Sequence, residues 1–327
     1  MPTDPDPGDP AEHPRHAWFR TLLARATTGA PPLPTAVAHP CDAHAVGAAV
    51  EAAAAGLIVP ILVGPETRIL RAAAEGGHDI APFRLVPAPH SHAAAAAAVA
   101  LVRAGEASLL MKGSLHTDEL LHAVLAADTG LRTERRVSHV YLMDVPTYPR
   151  PLLITDAAVN IAPDLATKRD IVQNAIDLAR AMGIETPRVA ILSAVETVNP
   201  RLQSTIDAAA LCKMADRGQI TGGLLDGPLA FDNAISPEAA AEKGIVSAVA
   251  GRADILVVPD LEAGNMLAKQ LTFLARADAA GVVVGARVPI ILTSRADSER
   301  TRIASCAVAV LLARAAAALR ISSPSAS

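Results

Sequence analysis

Short apolar runs alternate with alanine-rich stretches from residue 35 almost to the end of the chain. A first series covers residues 35–38, 58–63, 84–86, 108–111 and 139–143. A second covers 152–155, 189–192, 220–225, 255–258, 282–284 and 289–292. Several runs are apolar at every position, the pattern of strands buried on both faces of a parallel sheet. Between them, Ile171, Ala175, Leu178 and Met182 share one helical stripe, with Asp164 placed to cap that helix and Gly183 to end it. Asn199-Pro200 is expected to open another helix, its proline at a tolerated first-turn position. A βαβα order over the whole length specifies an α/β protein with helices on both sheet faces. At 327 residues the chain has room for about two domains.

Composition narrows the function. Hydrophobic residues make up 51% and charged residues 19%, which excludes a disordered chain. Aromatics are 2%, so the core must be Ala, Val, Leu and Ile, and little remains to stack on bases. A net charge of -4 with no long basic run argues against nucleic acid as a partner. Cys41, Cys212 and Cys306 lie far apart, which fits neither a zinc site nor a disulfide framework and suits a reducing cytoplasm. Residues 1–14 read as a Pro- and Asp-rich disordered tail without a signal peptide's apolar core, followed by a helix at 18–26 and a stiff linker at 31–34. The apolar runs 93–102 and 307–313 are shorter than the ~20 residues that cross a bilayer, so a soluble protein with no membrane partner is expected. The helix over 303–319, interrupted only by Ser305 and Arg314, must be covered by core or by a second copy.

Polar residues cluster where strands end. Six runs lead into the segments 112–118, 155–160, 193–197, 226–233, 259–265 and 293–298, and on one sheet edge these would line a cleft. Lys112-Gly113-Ser114 precedes a helix, so backbone N–H groups, a hydroxyl and an ammonium could meet a phosphate; a cap with a solvated lysine is the plainer alternative. Thr293-Ser294-Arg295 offers hydroxyls and a guanidinium that could hold an anion and donate to an oxyanion, or else a simple N-cap with a surface arginine. All ten histidines lie at or before His139, and no metal ligand is expected among them. There is no G-x-S-x-G elbow and no G-x-G-x-x-G loop.

Residues 110–117 (LMKGSLHT), 225–236 (LDGPLAFDNAIS), 258–269 (VPDLEAGNMLAK) and 289–298 (PIILTSRADS) resemble the phosphate acetyltransferase/phosphate butyryltransferase family. The resemblance runs from about residue 17 to 319 and is closest to the butyryl-type branch and to the acyltransferase half of enoyl-CoA hydratase fusions. It implies acyl-CoA + phosphate ⇌ acyl phosphate + CoA with a short acyl chain, acetyl to butyryl. Coenzyme A is then a substrate, and no metal or other cofactor takes part. It implies two α/β/α domains around a cleft, like those of isocitrate and isopropylmalate dehydrogenases. Domain I would comprise 15–147 plus 284–327 and domain II 148–283, in a homodimer or higher homo-oligomer. Ser294 would support the tetrahedral oxyanion and Arg295 hold phosphate. Substrate-binding positions would be Lys112, Gly113, Ser114, Thr117, Asp156, Asp226, Asn233, Asn265 and Lys269. Thr301 stands where the acetyl branch has its base, so Asp297 is the candidate base and Glu299 the next. The second phosphate arginine has no clear counterpart: His122 stands near its place, with Arg132, Arg135 and Arg136 beyond. Two other readings remain: a metal- and NAD-dependent 2-hydroxyacid dehydrogenase using Asp156, Asp226 and Asp260, and an inactive acyl-CoA-binding sensor, motivated by Thr301.

Overall fold

The structure is a computed structural model, and it describes residues 17–292 and 297–322. Its eleven strands form one sheet. From one edge the order is β3 (Arg84–Pro87), β2 (Ile58–Gly64), β1 (Leu33–Ala38), β4 (Leu109–Lys112), β11 (Ile290–Ile291) and β10 (Asp278–Val284). It continues through β5 (Ser138–Asp144), β6 (Leu152–Thr155), β9 (Ile255–Val257), β7 (Arg188–Leu192) and β8 (Leu224–Leu229). Each apolar run seeds one strand, so the α/β class is as expected. The run at 220–225 is displaced: Gly222 turns the chain at φ +85°, and pairing starts only where Leu224 meets Arg188. Asp226-Gly227-Pro228 therefore lies inside β8 rather than after it. An edge strand tolerates that proline, because one side of it has no neighbour awaiting an N–H. The expected linker is also shorter, since Leu33 and Pro34 already pair with Ile58 and Val59.

The sheet is mixed, not parallel. β10 is antiparallel to both β11 and β5, and β5 is antiparallel to β6. Consequently β1 to β5 and β11 run one way, while β6 to β10 run the other. The expectation that six polar strand ends share one edge is thus corrected. Those of β4 and β11 open on one edge, and those of β6, β7 and β9 on the opposite one.

Helices cover the two faces differently. On one face a single core runs under α1 (Ala17–Thr27), α2 (Ala43–Ala54), α3 (Glu66–Gly76), α6 (Leu165–Ala181), α7 (Gln203–Asp216) and α11 (Glu299–Ser322). On the other face there are two separate cores. One lies under α4 (Ser91–Arg103) and α5 (Thr117–Leu125); the other lies under α8 (Phe231–Ile235), α9 (Pro237–Glu242) and α10 (Leu261–Phe273). In the gap between these two cores the middle of the sheet is partly open at Tyr141 and Ala279. The expected domain cuts fall in the β5–β6 turn and at the end of β10.

Two helix starts repay comparison. Asp164 caps α6 by accepting from the Thr167 N–H, and Ile171, Ala175 and Leu178 are buried, as their spacing requires. Asn199-Pro200 does not open α7, which begins at Gln203. Asn199 instead closes a turn, accepting from Arg201 N at 3.0 Å while Thr205 Oγ1 donates to its carbonyl, also at 3.0 Å. The apolar run 307–313 belongs to a longer helix than expected. Residues 299–318 of α11 have the length and composition to cross a bilayer, but half of that stretch is buried inside the fold. Ala304 and 306–310 pack into the core, so core burial explains this half of the helix.

Candidate active site

The floor of the gap is set by strand alternation. On β5, Val140 and Leu142 face the continuous core, so His139 and Tyr141 face the gap side. On β10, Val283 belongs to one gap-side core and Ala279 packs on the other, with Gly281 between them. His139 and Tyr141 meet edge to face with ring centroids 4.4 Å apart. Both lie over Gly281, where a Cβ would stand 2.9 Å from His139 Nε2, so the ring position requires glycine. His139 is buried, and desolvation pulls its pKa down to about 4 against the opposing pull of the Asp156 charge; it is a neutral imidazole. Its Nδ1 has no hydrogen-bond partner among the described residues. The Tyr141 hydroxyl is pushed up, first by burial and then by the nearby charge of Asp297. Neither ring was singled out from the sequence; a histidine and a tyrosine two apart inside an apolar strand were the available signal.

At the carboxyl end of β4 the chain folds tightly against the end of β1. Gly113 N donates to Ala38 O at 2.9 Å and Ser114 N to His39 O at 2.8 Å. A Cβ on Gly113 would stand 2.4 Å from Ala38 O, which excludes any other residue there. Ser114 Oγ accepts from Cys41 N at 2.9 Å, and Lys112 Nζ donates to the carbonyls of Gly113 and Leu115 at 3.1 and 3.3 Å. With Asp42, His44, His116 and Thr117 these residues line a cavity of about 220 Å³. Thr117 is the first residue of α5, so that helix brings its free N–H groups to the cavity. Lys112, Gly113, Ser114 and Thr117 are therefore brought together. His39 beside them is buried in a left-handed conformation (φ 54°), with both ring nitrogens unpartnered among the described residues. Burial and the Arg68 charge lower its pKa.

Ser294 and Arg295 lie outside the described residues. Asp297, just beyond them, is half-buried, and its carbonyl accepts from Arg302 Nη1 at 2.9 Å. Arg302 also forks onto Glu51 of α2 at 2.8 and 2.7 Å, which fixes the start of α11. Thr301 takes part in that helix start: its N–H donates to Ser298 Oγ at 3.2 Å.

The remaining expected positions are spread out. The Asp156 carboxylate accepts from the N–H groups of Ala158, Val159 and Asn160 and from Asn160 Nδ2, at 3.0, 3.1, 3.0 and 2.5 Å. It is a loop-closing group, and Asn265 steadies the same loop by donating to Ala157 O at 3.3 Å. Asp226 accepts from Gly227 N at 2.8 Å on the edge strand. There its charge adds to the burial that pushes the Cys212 thiol up to about 12. Asn233 is buried, with Nδ2 3.5 Å from Glu196, which itself pairs with Lys243 at 2.8 Å. Lys269 is exposed on the outer stripe of α10. Asp260 caps α10 through Ala263 N. Asp156, Asp226 and Asp260 thus serve three separate local structures. Among the described residues no group of three His, Cys, Asp or Glu is placed to hold a metal ion.

Similarity to known proteins converges on one chemistry. The family model described as phosphate acetyl/butaryl transferase matches residues 90–310. The phosphate acetyltransferase of Rhizobium meliloti is 66% identical over 307 residues, covering 94% of this chain and 95% of its own. The phosphate butyryltransferase of Clostridium acetobutylicum is 44% identical over 278 residues, covering 85% and 92%. Of these two the acetyltransferase is the more similar, whereas the motifs had pointed to the butyryl-type branch. A crystal structure of a branched-chain phosphotransacylase from Enterococcus faecalis V583 superposes with TM-score 0.76 at 32% identity, covering 86% of this chain and 99% of that one. The chain therefore belongs to the phosphate acetyl/butyryl transferase family.

Proposed function

We propose that the protein is a phosphate acyltransferase that moves a short acyl group, acetyl to butyryl, between coenzyme A and inorganic phosphate. The observation that carries this reading is the segment 112–117, a family motif folded into a small cavity with an ammonium, a hydroxyl and a helix N-terminus. In the direction that consumes acyl phosphate, the CoA sulfur attacks the carbonyl carbon and the bond to the phosphate oxygen breaks. Phosphate departs with the bonding electrons, and the thiol proton passes to Asp297. Ser294 donates to the oxyanion of the tetrahedral intermediate, and Arg295 with the 112–117 loop holds the phosphate. Coenzyme A enters as substrate, and the reaction uses no metal. Three cysteines that lie far apart and form no C-x-x-C pair support a cytoplasmic setting. The protein is also proposed to work as a homo-oligomer, supported by the exposed stripe of α10 that carries Met266 and Phe273.

The test is CoA release from acetyl-, propanoyl- and butyryl-CoA, with and without phosphate, in the presence of EDTA. Phosphate-dependent release that survives EDTA is expected. Ser294→Ala should lower kcat by roughly 10²–10³-fold, while Arg295→Ala should raise the KM for phosphate as well. No phosphate-dependent release from any of the three would overturn the reading; tight CoA binding without turnover would point to a sensor.

A further inference from the structure

β5 is a central strand, and of its gap-side residues His139, Tyr141 and Met143 only Tyr141 is not fully buried. Tyr141 is only partly buried, and so is Ala279 on the adjoining β10. The opening between the two gap-side cores thus reaches the sheet at Tyr141. Directly across from it in register is Gly281, which contributes no side chain. On its other side in register is Ile154, buried in the core beneath α10. The ring leans on neutral His139 and packs against that core. Its surroundings are apolar or uncharged on these three sides, with the Asp297 carboxylate approaching from the β11 end.

The part of an acyl-CoA or acyl phosphate that suits such a surface is the hydrocarbon chain, since the phosphates would lose hydration there without gaining a partner. We propose that Tyr141 is a specificity-determining residue that limits the length of the acyl chain, by filling with its ring the space over Gly281 that a longer chain would occupy. This rests on the phosphate acyltransferase reading above. A glycine opposite the ring means that truncating Tyr141 opens space that no neighbouring side chain on β10 can refill. Burying one further methylene favours a bound state by about fourfold, so the two that separate butyryl from acetyl are worth about 15-fold.

The experiment compares kcat/KM for acetyl-, butyryl- and hexanoyl-CoA with phosphate in the wild type, Tyr141→Ala and Tyr141→Phe. In Tyr141→Ala the butyryl-to-acetyl ratio should rise by about 10-fold or more, with hexanoyl-CoA gaining further. Tyr141→Phe, which keeps the ring, should keep the wild-type ratio. Should Tyr141→Ala fail to fold, Tyr141→Leu carries the same comparison with a smaller opening. A merely structural role would lower all three substrates in parallel, and an unchanged ratio in a folded truncation overturns the proposal while the wild-type enzyme stays active. A wild type inactive on every acyl-CoA would instead remove the acyltransferase reading, and this inference with it.

Discussion

At Asp156 three backbone N–H groups and one amide converge on a single buried carboxylate. Removing it strands donors that the loop cannot turn to water without moving. Asp156→Ala should therefore destabilise the fold by about 2–4 kcal/mol, lowering Tm by about 3–6 °C. A melting curve that matches the wild type would show that the loop does not need this cap. The same residue shows where sequence reading stopped. An aspartate after an apolar strand is compatible with a ligand, a metal or a cap, and only the positions of the next four residues decide. Gly113 was legible only as part of a possible phosphate loop; that it must be glycine, because a Cβ would stand 2.4 Å from Ala38 O, is seen only in the fold.

Between α6 and α7 the Lys168 ammonium and the Asp207 carboxylate meet at 2.7 Å, both side chains about 8% exposed. Gln203 adds a second donor to Asp207 at 2.8 Å. Lys168→Ala should destabilise by about 3–5 kcal/mol because it leaves a buried charge without its counter-ion, whereas Lys168→Met combined with Asp207→Leu should come within about 1 kcal/mol of wild type. Thermal denaturation of the single variant and the double reads this directly, and a double variant as unstable as the single would contradict it. Helix α6 was legible from its stripe and its Asp164 cap, because both are local. The start of α7 was not: Asn199 favours a turn as readily as a cap, and the contact with Thr205 tips it.

Across the whole molecule, α10 presents Glu262, Met266, Lys269 and Phe273 outward along one stripe, with Met266 59% and Phe273 76% exposed. Leu274 beside them is 82% exposed. The acid and the base flank Met266, so an antiparallel second copy would set each Glu262 against its partner's lysine and bury both methionines. Light scattering should report a dimer or higher assembly for the wild type, and Phe273→Glu combined with Met266→Glu should reduce it to a monomer without changing Tm of the subunit fold by more than a few degrees. A wild type that is monomeric, or a double variant of unchanged mass, would exclude this face. The first half of α11 is buried against the continuous core, whereas residues 311–318 stay half-buried to exposed.

Most strand positions, helix α6, the α/β class and the motif that becomes the Lys112–Thr117 cavity were determined by the sequence itself, because each depends on apolar spacing or capping within a few residues. Strand direction was decided only in three dimensions. An apolar run such as 282–284 reads the same in either sense, and it is the pairing of β10 with β5 and β11 that reverses half of the sheet. One face of the sheet carries two separate cores, and between them Tyr141 stays partly open while His139 and Gly281 lie buried beside it. Residues 139 and 281 are 142 positions apart in the chain, and no local pattern could have placed one ring over the other's missing side chain.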